Sequence, residues 1–235
     1  MYTPQFTTGK NHVPILSKDA INDIGEKVAE DFCPNALRVP TEIDADRFLT
    51  RYLGLTQDYQ YLSHCGVYLG MTVFNDTDRV PVFNFERWEA EFISAKAGTV
   101  IIDNMLLEEN QEHRYRFTCL HEGAHKLLHT EYFTAQAEQP HSTDIAQMVQ
   151  CRRSTAQCRK GCYAKTDTDW LEWQANQLAS AILMPKRMVI AVARDVKRCC
   201  RNNVNAPLSA VARVFNVSND AAYYRMVDLG LLPRK

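Results

Sequence analysis

The stretch RFTCLHEGAHKLLHT, residues 116 to 130, sets His121, Glu122 and His125 at helical spacing in an apolar segment. Positions four apart on a helix differ by about 40° in rotation and roughly 6 Å in height, so the two imidazoles can aim at one point. Phe117, Ala124 and Leu128 fall on the same face. The rings therefore enter the packed side of the helix, where a histidine lacking a partner is hard to satisfy. Glu122 lies about 100° around from His121, beside that point and not on it, where a carboxylate can take a proton from a held water. Such a helix must be covered by a second segment bearing a further donor. The competing reading is an ordinary amphipathic helix with two core histidines and a surface carboxylate.

H-E-x-x-H spacing suits a metal, and catalytic zinc usually takes three protein ligands and keeps its fourth position for water. His129 is two helical steps from His121, roughly 12 Å along the axis, and is not expected to be the third. Leu128 and Glu131 stand where an extended H-x-x-G-x-x-H motif needs glycine and histidine, which excludes that class. Downstream, DWLEWQANQLASAILMP puts Glu172, Ala175, Asn176, Ala179 and Leu183 on one helical face. The small Ala175 and Ala179 permit close approach to the histidine helix. Glu172 can then reach the metal, and Asn176 can accept a ligand ring N–H and fix its tautomer. The alternative makes Asp169 an N-cap and Glu172 its capping-box partner, with no metal.

Around these blocks the pattern is α+β. DAINDIGEKVAEDF spaces Ile21, Ile24, Val28 and Phe32 as a helix, and PTEIDADRFLTRYLG does likewise before Gly54. Between Tyr59 and Asp103, the runs YQYL, GVYLGMTVF, VPVFNF, AEFISA and TVIID predict a small antiparallel sheet. Helical spacing returns through the two metal blocks, Pro185 ends the second, and KRMVIAVARDVKRCCR follows. LSAVARVFNVSNDAAYYRMVDLGLL reads as helix, tight turn and helix, with Ser218 as N-cap and Gly230 as stop. The expected division is residues 1–205 for the metal-bearing unit, with an insertion at about 131–168, and 206–235 for the helix-turn-helix-like segment.

In order, RFTCLHEGAHKLLH and EWQANQLASAILMP resemble the ImmA/IrrE family of zinc metallopeptidases, whose pattern is R-F-T, H-E-x-x-H, then E-x-x-A-N and L-M-P. The resemblance implies a gluzincin-like minimal metallopeptidase: N-terminal helices, a small antiparallel sheet, an active-site helix pair and a helix-turn-helix-like end. It implies one zinc per chain held by His121, His125 and Glu172, with Glu122 as general base and Asn176 as supporting residue. It also implies a protein substrate, namely a helix-turn-helix repressor of a mobile element or stress regulon, cut by zinc-activated water. Two departures stand out. Gly123-Ala124 replaces the family's usual bulky residue followed by glycine, and the interval between the metal blocks is longer.

The alternative function is a non-catalytic regulator, braced by zinc, that binds DNA or a partner through its C-terminal segment. A formal charge of −1 gives no broad basic field, and SNDAAYYRMVDLG carries a single arginine, so direct nucleic-acid binding is not expected. No stretch is long and oily enough for a membrane span, and the opening residues lack a secretion signal, which makes the cytoplasm the expected compartment. The eight cysteines are accordingly expected to be reduced; Cys151, Cys158 and Cys162 with His141 could alternatively hold a second zinc. An extended substrate could add to an exposed strand edge, with TVIID as the candidate strand.

Overall fold

The computed structural model describes residues 1–137, 148–152, 166–200, 203 and 205–234, with residues 137 and 148–152 described by backbone alone. Helix α1 (Lys18–Phe32) is capped by Ser17, whose side chain accepts from the Ala20 N–H, and buries Ile21, Ile24 and Val28. α2 (Ala45–Arg47) is capped by Asp44 and widens into a π-helical turn, Phe48–Tyr52. Gly54, with φ of +67°, ends that segment where the sequence places its stop.

The five β-rich runs become β1 (Thr56–Gln60), β2 (Tyr68–Val73), β3 (Thr77–Asn84), β4 (Glu89–Ala95) and β5 (Thr99–Asp103). β3 and β4 pair as a separate hairpin. The other sheet has the order β1-β5-β2-β6, with β6 at Met148–Arg152. It is antiparallel at β5-β2 and β2-β6, but β1 runs parallel to β5, from Thr56 opposite Thr99 to Gln60 opposite Asp103. The antiparallel expectation is corrected at that pair. The whole of β2, β3 and β4 lies between its strands in the chain and supplies the long crossover that parallel pairing requires. β5 is buried at every residue and paired on both sides, so TVIID is not an edge and cannot accept a substrate strand.

Behind the sheet lies α3 (Glu112–Ala137), and α4 (Asp167–Leu183) packs along it. Ala175 and Ala179 are fully buried at this contact, as their small size predicts. Gly123 has a similar role on α3: a Cβ there would lie 2.9 Å from Phe48 and 3.0 Å from Leu53. The unusual glycine lets the π-helical turn press against α3, and this closeness offsets its helix-propensity cost of about 1 kcal/mol.

Pro185 ends α4 and leads into α5 (Lys186–Cys199). α6 (Ala206–Phe215) and α7 (Asn219–Asp228) follow, with Ser218 capping α7 through the Ala221 N–H and Gly230 at φ +71° just beyond it. Two buried arginines bind this end to the rest. Arg116 of the R-F-T motif donates to the Phe215 carbonyl, and Arg225 donates to the Met184 carbonyl and to Asn22 Oδ1. At the other end, the N-terminal arm turns back on itself, with Thr8 bridging Pro14, and Val13 packs with Phe133 and Leu171. His141, Cys158 and Cys162 lie outside the described residues, as does the side chain of Cys151. Among the described residues, no helix is long and apolar enough to cross a membrane.

Candidate metal centre

α3 carries His121 and His125 into the core on one face, both fully buried, with their Nε2 atoms 3.0 Å apart. α4 brings Glu172 to them: its carboxylate oxygens lie 3.4 Å from His121 Nε2 and 3.3 Å from His125 Nε2. One ligand atom from each of the three residues falls within 4.8 Å of the others, a grouping that could hold a metal ion. The Glu172 side chain keeps 28% exposure while the imidazoles keep none, so solvent reaches the cluster from the carboxylate side.

The capping alternative for Glu172 fails for a local reason. Helix α4 starts one turn earlier than that alternative requires: Thr166 is the N-cap, and Asp169 is its capping-box partner. Asp169 satisfies the helix start, and Glu172 is released to face α3. Asn176, one turn further on, places Oδ1 3.1 Å from His121 Nδ1. As acceptor of that ring N–H, it leaves the His121 Nε2 lone pair facing the cluster.

Two nitrogens and a carboxylate so close together repel unless a proton or cation sits among them. Burial pushes His125 down to about 4, and the bond to Glu172 opposes this without overcoming it. Burial acts to raise the Glu172 carboxyl, but its bonds to His121 and His125 outweigh that and hold it below the usual carboxylate range. Neutral imidazole and ionised carboxylate are the forms in which these side chains bind metal. Two nitrogens and one oxygen are a donor set suited to a borderline divalent ion such as zinc, so the residues fit the group that the sequence implies.

Glu122, the chain neighbour of His121 on α3, is fully buried, and its Oε2 accepts from the Thr72 hydroxyl of β2 at 2.6 Å. Gly70, two residues earlier on the same strand, lies against the same carboxylate: a Cβ there would be 2.8 Å from Oε1. Sequence reasoning missed both residues. Their signal is weak, because nothing in a β-rich run marks which residue faces a helix that lies far along the chain.

It also missed the polar wall behind His125. His129, rejected as a third ligand, is fully buried with Nδ1 2.9 Å from His125 Nδ1 and Nε2 3.0 Å from Gln174 Oε1. Gln174 in turn donates through Nε2 to the Pro14 carbonyl at 2.7 Å. Burial lowers His129 well below its ordinary value, and the neighbouring His125 adds to the effect. Other polar side chains of α3 and α7 make contacts of their own: His113 contacts Asn216, Arg114 bonds Gln111, and Tyr223 donates to the Pro233 carbonyl. Tyr132 packs with Phe133.

Residues 159–227 match the family model described as the IrrE N-terminal-like domain, Peptidase_M78, which supports the ImmA/IrrE resemblance of the motifs. The matched span contains Glu172 and Asn176 but neither His121 nor His125. No curated protein matches the chain.

Proposed function

We propose that this ImmA/IrrE-type chain is a zinc-dependent endopeptidase that cuts a protein substrate, a helix-turn-helix transcriptional repressor by family resemblance. The observation carrying the reading is the convergence of His121, His125 and Glu172 from two separate helices, with Glu122 next to His121 in the first of them. His121, His125 and Glu172 would hold the ion. When bound, zinc supplies the charge that makes water acidic near neutral pH and that offsets negative charge developing on a substrate carbonyl.

The chain's own residues supply the rest. Glu122 acts as general base, taking the proton of the attacking water and returning it to the leaving amine. Thr72 holds that carboxylate by one oxygen, which limits its rotation between the two transfers. Asn176 fixes the ring of His121. No covalent intermediate with the protein is required. The alternative of a DNA-binding regulator draws no support from α7, whose single arginine is buried against Met184 and Asn22.

The test incubates zinc-loaded protein, wild type and Glu122→Gln, with a helix-turn-helix repressor encoded beside it. A discrete fragment from the wild type, with at least a ~100-fold slower yield from a variant that retains zinc, is expected. Equal cleavage by both proteins would refute the role of Glu122.

A further inference from the structure

We propose that His129 and Gln174 are positioning residues for the metal ligand His125, anchored by the backbone carbonyl of Pro14. The inference rests on the reading of His121, His125 and Glu172 as metal ligands and adds the device that keeps one of them ready to bind.

Donor and acceptor roles are fixed from the N-terminal arm inward. A carbonyl oxygen only accepts, so the atom that Gln174 turns to Pro14 at 2.7 Å must be its amide nitrogen. The amide oxygen of Gln174 is thereby turned to His129 Nε2, 3.0 Å away, and that nitrogen must carry a proton. A neutral imidazole carries one N–H, so His129 Nδ1 is bare and can only accept. Its neighbour at 2.9 Å is His125 Nδ1, which must be the donor. With its one proton on Nδ1, His125 presents a bare Nε2, the nitrogen that faces His121 and Glu172. Reversing any link sets two acceptors or two donors face to face inside a buried site, at the cost of an unsatisfied polar group.

The chain of bonds thus selects the tautomer that binds metal and also holds the ring by its far edge. His121 meets Asn176 at its Nδ1, whereas His125 is backed by a relay of three residues that reaches the N-terminal arm. Gln174 belongs to α4, as Glu172 does, so one helix supplies both a ligand and the partner that orients another. His129 and Gln174 act through His125 and are not themselves members of the ligand cluster.

Zinc affinity of the full chain, measured by competition with a chromophoric chelator, tests the relay, together with the visible spectrum of the cobalt(II)-substituted protein. Gln174→Leu removes the acceptor for His129 and should weaken zinc binding by about 10- to 100-fold and shift the cobalt bands. Gln174→Glu keeps an acceptor for His129 but sets its other oxygen against the Pro14 carbonyl, so it should recover affinity only in part, above Gln174→Leu and below wild type. His129→Phe should match Gln174→Leu; if it fails to fold, the two Gln174 variants carry the comparison. Thermal unfolding of the chelated proteins separates loss of fold from loss of affinity. Wild-type affinity and an unchanged cobalt spectrum in Gln174→Leu would overturn the relay alone. Failure of the wild type to bind zinc at all would overturn the metal reading beneath it.

Discussion

The Thr72 hydroxyl lies 2.6 Å from Glu122 Oε2, joining the second strand of the chain to the acid of the H-E-x-x-H segment across a fully buried contact. A hydrogen bond to a charged group contributes about 1.5–3 kcal/mol, and a buried carboxylate that loses such a donor becomes harder to keep ionised. Thr72→Val should therefore lower the rate of substrate cleavage by roughly 10- to 100-fold with zinc content unchanged. Thr72→Ser, which keeps the hydroxyl, should retain most activity. Kinetics of the two variants on one substrate decide the point; equal rates would mean that the hydroxyl does not serve Glu122.

Gly70 makes a steric prediction about the same carboxylate. A methyl group at this residue would fall 2.6 Å from Thr118 Cγ2 and 2.8 Å from Glu122 Oε1, too close for either neighbour to remain in place. Overpacking of this kind costs about 1–3 kcal/mol, and here part of the strain is relieved by moving the base. Gly70→Ala should bind zinc normally, melt somewhat earlier and cleave substrate slowly. Full turnover with an unchanged melting temperature would show that the strand yields without disturbing Glu122.

Arg225 gives a prediction about the C-terminal segment. It is buried, its Nε and NH1 donate to the Met184 carbonyl and to Asn22 Oδ1, and burial brings it down to about 10 against the opposing charges of Asp228 and Glu26. It remains charged at neutral pH and is spent on tying α7 to α4 and α1. Arg225→Met leaves two buried acceptors without their donor and should reduce stability by about 1–3 kcal/mol, read as a lower urea midpoint. The same burial leaves α7 without an outward base, so fluorescence anisotropy with duplex DNA should show no salt-dependent binding by the wild type. A steep salt slope would revive the DNA-binding reading.

The grouping of His121, His125 and Glu172 was legible in the sequence because it is a matter of helix geometry. Spacings of three and four fix which side chains share a face, and Glu172 and Asn176 followed from the same rule that paired His121 with His125. The helix caps were legible for a similar reason: Ser218 and Gly230 act on backbone within a few residues of themselves. The sheet was harder, since residue alternation identifies strands but not their partners; the parallel pairing of β1 with β5 and the central position of TVIID depend on contacts far apart in the chain. Thr72, Gly70 and Gln174 were hidden for that reason. His129 was half legible. Its i+4 spacing from His125 predicts contact, whereas its role depends on a glutamine in another helix and a proline carbonyl in the N-terminal arm.

Buried neutral imidazoles make the metal-free protein sensitive to acid, and the sign follows from burial. His125 has an ordinary value of 6.5 and is brought to about 4 in the fold, while His129 moves in the same direction. Between those two values the unfolded chain binds protons that the folded chain refuses, so unfolding is drawn forward as pH falls from about 6.5 towards 4. Glu172 acts in the same sense at still lower pH: its folded value lies below its ordinary 4.5, so its contribution is present above that value and lost beneath it. The urea midpoint of chelated protein should therefore be lower at about pH 5 than at about pH 7.5, and His129→Asn should flatten the difference by removing one of the titrating rings. An equal midpoint at both pH values would mean that the rings take up protons as readily inside the fold as outside it, contradicting their neutral burial and the bare nitrogens offered to a metal.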